Sequence, residues 1–87
     1  MKVKDGFILR EIAGSYVIVP VGENLVDFSA MMTVNETGAF IWKMLCNGAQ
    51  RDEIIDAVCA EYDAPKEEIT ADVDEFLAAL ADKKVLN

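Results

Sequence analysis

The 87-residue sequence predicts an α+β fold, a three-stranded antiparallel sheet followed by three helices. Two short β-branched runs flank a small-residue turn near the start, and a stretch alternating with period two follows. The remainder carries apolar residues at helical spacing, broken by residues that cap or stop helices. A chain of this length closes around one core, so a single domain over residues 1–87 is expected.

The first two strands are Phe7-Ile8-Leu9-Arg10-Glu11-Ile12 and Tyr16-Val17-Ile18-Val19-Pro20-Val21, joined through Ala13-Gly14-Ser15 into a hairpin. Pro20 has no N–H to give a ladder, which places it at a strand end or on an edge. Gly22-Glu23-Asn24 reads as a polar loop. In Asp27–Val34, Phe28, Ala30, Met32 and Val34 fall on one face and Ser29, Met31 and Thr33 on the other, predicting a third strand buried on one side. Three strands leave at least one long edge that remains open or is covered by something else.

Asn35 is a helix cap, and Glu36 sits at the positive end of the dipole. Phe40, Ile41, Met44 and Leu45 form the apolar stripe of the helix that follows, and Asn47-Gly48 stops it in the αL manner. A second helix carries Ile54, Ile55, Val58 and Tyr62 and ends before Asp63-Ala64-Pro65. The third opens with Pro65, Glu67 and Glu68. Its apolar residues Ile69, Val73, Phe76, Leu77 and Leu80 recur at helical spacing, with Lys83 and Lys84 at its negative end. Val85-Leu86 forms a short strand or caps the core.

Charge narrows the function. The net charge of −8 is concentrated in the second half: residues 1–47 carry −1 and residues 48–87 carry −7. Nucleic-acid binders draw affinity from basic residues on phosphates, so no nucleic-acid partner is expected. No apolar run approaches the roughly 20 residues that cross a bilayer, and the start lacks an apolar signal region, so no membrane partner and a cytoplasmic location are expected. Cys46 and Cys59 have no CxxC spacing and no histidine to join them, and are read as buried, reduced thiols.

Catalysis has little to stand on. No nucleophile can be paired with a base, and no glycine-rich loop precedes a helix in phosphate-binding form. No catalytic residue, metal site or cofactor is assigned, and the chain is expected not to be an enzyme. The acidic residues Asp72, Asp74 and Glu75 read as a solvated helix face. Trp42, beside the first helix's stripe, reads as packing against a neighbour, with an interface anchor as the alternative. Met31 and Met32 are adjacent in a strand and point to opposite faces, so one of them is available to line a groove.

The stretch Val34-Asn35-Glu36-Thr37-Gly38-Ala39-Phe40-Ile41-Trp42, together with Asp63 after Tyr62 and Asp72-Val73-Asp74-Glu75-Phe76-Leu77 with Leu80 beyond, resembles the PqqD-like family. That family is named for a component of pyrroloquinoline quinone biosynthesis. Its fold also serves as the recognition element of enzymes that make ribosomally synthesised, post-translationally modified peptides. The Asn-Glu-Thr-Gly-Ala stretch is the more specific part of the match. Two departures stand out: Gln50 or Arg51 lies where the family often has a Thr or Ser cap, and Lys84 precedes the final apolar pair where a glycine is common.

The resemblance implies a winged helix-turn-helix domain and a peptide chaperone. A precursor's leader peptide would add as a further strand to the third strand and be presented to a radical S-adenosylmethionine enzyme. Carried over residue by residue, it implicates Ser29, Met31 and Thr33 on the strand and Val73, Phe76, Leu77 and Leu80 on the third helix, with some of these serving the core instead. Two other readings stand beside it. A winged-helix DNA-binding regulator would need lysines or arginines along Ile54–Glu61 that are absent. A structural oligomerisation module would form a homodimer by edge pairing or hairpin exchange.

Overall fold

The computed structural model describes residues 1–21 and 31–86. Strands β1 (Phe7–Ile12), β2 (Ser15–Pro20) and β3 (Met32–Val34) precede helices α1 (Glu36–Asn47), α2 (Arg51–Glu61) and α3 (Lys66–Asp82). The sheet order is β1-β2-β3, both pairings antiparallel. This is the expected α+β order.

The hairpin register follows from its turn. Ile12 pairs with Ser15, leaving Ala13 (φ 52°) and Gly14 (φ 82°) as a two-residue connection. Positive φ at both central positions matches the twist of the flanking strands. Pro20 closes β2 at its last position, opposite Phe7. The expected loop at Gly22-Glu23-Asn24 and the strand residues Asp27, Phe28, Ser29 and Ala30 lie outside the described residues. Met31 precedes β3 and is outside any strand, so the described part of the third strand holds three residues.

Asn35 caps α1 as expected: its side-chain oxygen accepts the Gly38 N–H at 2.8 Å. At the far end Gly48 takes φ 84° and donates its N–H to the Leu45 carbonyl. Its ψ of 126° lies outside the αL well expected there. Gln50 caps α2, and its own N–H donates to the Glu53 side chain at 3.0 Å.

The end of α3 resolves the second departure. Val85 N–H donates to the Leu80 carbonyl and Lys84 N–H to that of Ala81, with Lys84 at φ 60°. These are the two bonds of a Schellman cap, and the buried Leu80 and Val85 make its hydrophobic contact. A lysine thus occupies the left-handed position that glycine holds without strain. Lys84→Gly is expected to stabilise the domain by about 0.5–1 kcal/mol, the relief of strain less glycine's extra unfolded-state entropy. A thermal melt checks it, with a rise of several degrees expected for a chain of this size.

The core joins Ile18 of β2 to Ile41, Trp42 and Leu45 of α1, Ile54, Ile55 and Val58 of α2, and Ile69, Val73, Leu77 and Leu80 of α3. Trp42 is buried in it, which settles its role as structural. No polar or charged residue is buried among the described residues. Phe40 and Tyr62 meet edge to face, ring centres 5.9 Å apart, and pin α1 to the end of α2. Burial, with the nearby Glu36 and Glu61 carboxylates, raises the Tyr62 phenol above its ordinary range.

The N-terminus closes the other side of the core, a role the sequence did not announce. Val3 forms a β-bridge with Leu86 and donates its N–H to the Leu45 carbonyl, while the Met1 carbonyl accepts from Ala49. Val85-Leu86 therefore caps the core through this bridge. Cys46 is exposed, contrary to the buried reading, because it follows Leu45 and falls off the stripe that faces the core. Partial burial still raises its thiol, with Lys2 acting the other way. Cys59 is half-buried against the core.

Candidate functional site

Among the described residues, no strand pairs with the outer side of β3. Beside that edge lies an open groove of about 300 Å³. Its walls have three chemistries. Met32, Thr33 and Val34 supply strand backbone; Asn35, Thr37 and Gly38 supply the capped first turn of α1; Asp72, Glu75, Phe76 and Ala79 supply one face of α3. Ile41, almost wholly buried, completes the lining.

Each element is placed by a local cause. The Asn35 cap starts α1 directly after Val34, so strand and helix meet at a tight corner. Gly38 sits inside that corner. A Cβ there would lie 3.0 Å from Val34 Cβ, 3.2 Å from Phe76 Cε1 and 3.4 Å from Asn35 Oδ1. The absence of a side chain lets Phe76 of α3 lie against the start of α1. Glycine inside a helix costs about 1 kcal/mol against alanine, and its backbone here is ordinary helix, so the close approach is its physical reason.

The implicated residues divide. Thr33 and Phe76 line the groove. Met31 lies outside its lining and is 44% exposed, while Met32 both lines it and packs on the core. Ser29 lies outside the described residues. Val73 and Leu80 are wholly buried and Leu77 nearly so, which makes these three core residues instead of groove residues. They lie in the core cluster because they carry the centre of the α3 stripe; Phe76 lies at its margin, half in the core and half in the groove. Asp72, Glu75 and Ala79 were missed as site residues. The signal was spacing: with Phe76 they recur at i, i+3, i+4 and i+7, a second face beside the core stripe.

Electrostatics separates neighbouring carboxylates. Asp74 turns away from the groove to α2, where Arg51 donates to it from Nε at 2.6 Å and from a terminal nitrogen at 2.9 Å. That fork holds the Asp74 carboxyl below its ordinary range and raises the guanidinium in turn. The carboxyl's folded value is depressed, so the pair's contribution is present above the ordinary carboxylate range and is lost as pH falls through the lowered value. Both groups are about half exposed, so the contribution is small. The ion pairs among the described residues all involve Arg51. Asp72 and Glu75 have none.

The described residues contain no cluster of histidines, cysteines and acids able to hold a metal ion. None of their helices is long and apolar enough to cross a membrane.

The chain is similar to known proteins over nearly its whole length. It matches the solved structure of TbiB1 in complex with the TbiA(beta) leader peptide at 31% identity and a TM-score of 0.78, over 100% of this chain and 95% of that one. Lasso peptide synthetase B1 complexed with the leader peptide shares the fold, with a TM-score of 0.74 at 13% identity over 97% and 93% of the two chains. No curated protein matches. The family of coenzyme PQQ synthesis protein D (PqqD) matches residues 15–86, from the first residue of β2 to the final bridge at Leu86. The chain belongs to the PqqD family.

Proposed function

We propose that this chain is a non-catalytic recognition domain that binds the leader region of a ribosomally made precursor peptide by strand addition to β3 and presents it to a modifying enzyme. The observation that carries the reading is the outer side of β3, which pairs with no strand among the described residues and runs beside an open groove walled by α3. An exposed edge gives affinity through backbone N–H and C=O groups, and the pockets beside it select among side chains. TbiB1, 31% identical to this chain, is solved in complex with a leader peptide, which supports a leader peptide as the ligand here. The modifying enzyme expected from the family resemblance is a radical S-adenosylmethionine enzyme.

Each groove residue then has a task. Met32 offers a flexible thioether that adapts to different side chains. Phe76 and Val34 offer an apolar seat. Asn35 is committed to Gly38 through its side-chain oxygen and holds the corner in shape.

Titrating the isotopically labelled chain with a precursor's leader peptide tests the reading by amide chemical shifts. Shifts are expected at Met32–Val34, Thr37-Gly38 and Asp72–Ala79. Shifts confined to α2 or to the β1–β2 turn would place the peptide elsewhere and overturn the assignment of this groove.

A further inference from the structure

The groove's charge narrows what it takes. Asp72 and Glu75 lie three residues apart on α3, a spacing that brings side chains together on one helix face. Both are exposed, both line the groove and neither has an ion-pair partner among the described residues. Asp74 between them is engaged by Arg51 on the opposite side. No lysine or arginine lines the groove among the described residues, and the sequence from residue 22 to residue 30 contains none either. Two adjacent like charges on a helix disfavour each other, and a cation laid between them relieves that. Such a cation has to arrive with the ligand.

We infer that the peptide strand accepted beside β3 carries a lysine or arginine that lies over Asp72 and Glu75 of α3, so that the groove selects basic segments over acidic ones. The inference rests on the strand-addition reading and refines it. The β3 edge supplies affinity blind to side chains, and Phe76 with Val34 selects an apolar residue. The carboxylate pair then sets charge specificity and speeds encounter, since an acidic surface steers a basic segment. The same field rejects a segment carrying Asp or Glu at that place.

The test uses a phage-displayed library of random twelve-residue peptides panned on the immobilised chain. Lysine and arginine are expected to be enriched over aspartate and glutamate in the bound pool. A synthetic peptide from that pool is expected to bind the double variant Asp72→Asn/Glu75→Gln about five- to tenfold more weakly than wild type at low salt, as two exposed ion pairs allow. The gap should close at about 1 M salt, where the Debye length falls to about 3 Å. Asp74→Asn, which loses only its bond to Arg51 outside the groove, should bind as wild type does. A charge-reversed Asp72→Lys/Glu75→Lys chain should enrich acidic peptides instead. All three positions are exposed, and circular dichroism verifies that the variants fold.

The outcomes separate the two levels. Apolar, strand-forming peptides without charge bias, or equal affinity for wild type and the neutralised variant, overturn the charge inference and leave strand addition standing. A pool whose binding ignores proline in β3, or no enriched peptide at all, overturns both.

Discussion

Proline in β3 is expected to remove the peptide without removing the fold at one of two adjacent positions. Neighbouring residues of a strand send their N–H groups to opposite sides. Of Met32 and Thr33, one therefore donates toward β2 and the other toward the open edge. Proline at the first breaks the ladder that pairs Val17 with Thr33 and Ile18 with Met32 and costs the domain about 1–3 kcal/mol. Proline at the second removes only an outward donor, a change strand edges tolerate. The variant of the Met32→Pro, Thr33→Pro pair that keeps the higher melting temperature should be the one that binds the leader at least tenfold more weakly. The lost bond itself is worth about 0.5–1.5 kcal/mol, and the peptide carbonyl left unpaired adds about 1–3 kcal/mol.

Gln50→Pro is the control. It removes the N–H that Glu53 accepts at the start of α2, outside the groove lining, so it destabilises without touching the edge. Its affinity for the leader should equal wild type. Isothermal titration reads all three. A folded proline variant at each β3 position, both with unchanged affinity, means the peptide does not pair with β3.

Much of this architecture was legible because local chemistry and tertiary packing agree. The Asn35 cap and the helical stripe of α3 form as expected, and the turn expected at Ala13-Gly14-Ser15 forms over Ala13 and Gly14, with Ser15 taken into β2. The candidate site was legible in part, for a reason visible on α3. Periodicity identifies that Ile69, Val73, Phe76, Leu77 and Leu80 share a side of the helix, but a stripe wider than the contact it makes cannot say which member lies at the margin. The structure puts Val73, Leu77 and Leu80 in the core and Phe76 at the boundary. Once Phe76 marks the margin, Asp72, Glu75 and Ala79 follow as its neighbours.

Two other residues show where residue type misleads and where a narrow stripe does. Free cysteine packs well, which points to a buried Cys46, yet its place after Leu45 takes it off the buried stripe and into solvent. Trp42 follows Ile41 and stood outside the narrow stripe. It is buried because α1 packs on both α2 and β3, which widens the covered face beyond what one neighbour would require. The N-terminal bridge from Val3 to Leu86 has no signal in periodicity at all, since it joins the two ends of the chain through single residues.

Gly38→Ala should separate binding from folding. The added methyl would stand 3.0 Å from Val34 Cβ and 3.2 Å from Phe76 Cε1, both tighter than ordinary van der Waals contact. Val34 Cβ is fixed to strand backbone and yields only if β3 moves. The Phe76 ring, at the margin of the core beside open space, yields by turning outward into the groove. Alanine is the better helix former by about 1 kcal/mol, against an overpacking cost of about 1–3 kcal/mol, so the net destabilisation stays within about 2 kcal/mol. The groove absorbs the rest, since the displaced ring occupies the apolar seat proposed for the leader. Affinity should fall at least tenfold, the loss of one buried apolar contact of roughly 1.5 kcal/mol or more, in a domain whose helical circular dichroism is unchanged. Removing the obstruction should restore much of it: in Gly38→Ala/Phe76→Leu the smaller side chain clears the methyl, and affinity should rise above that of Gly38→Ala alone. Wild-type affinity in a folded Gly38→Ala chain would show that the peptide does not use the corner between β3, α1 and α3.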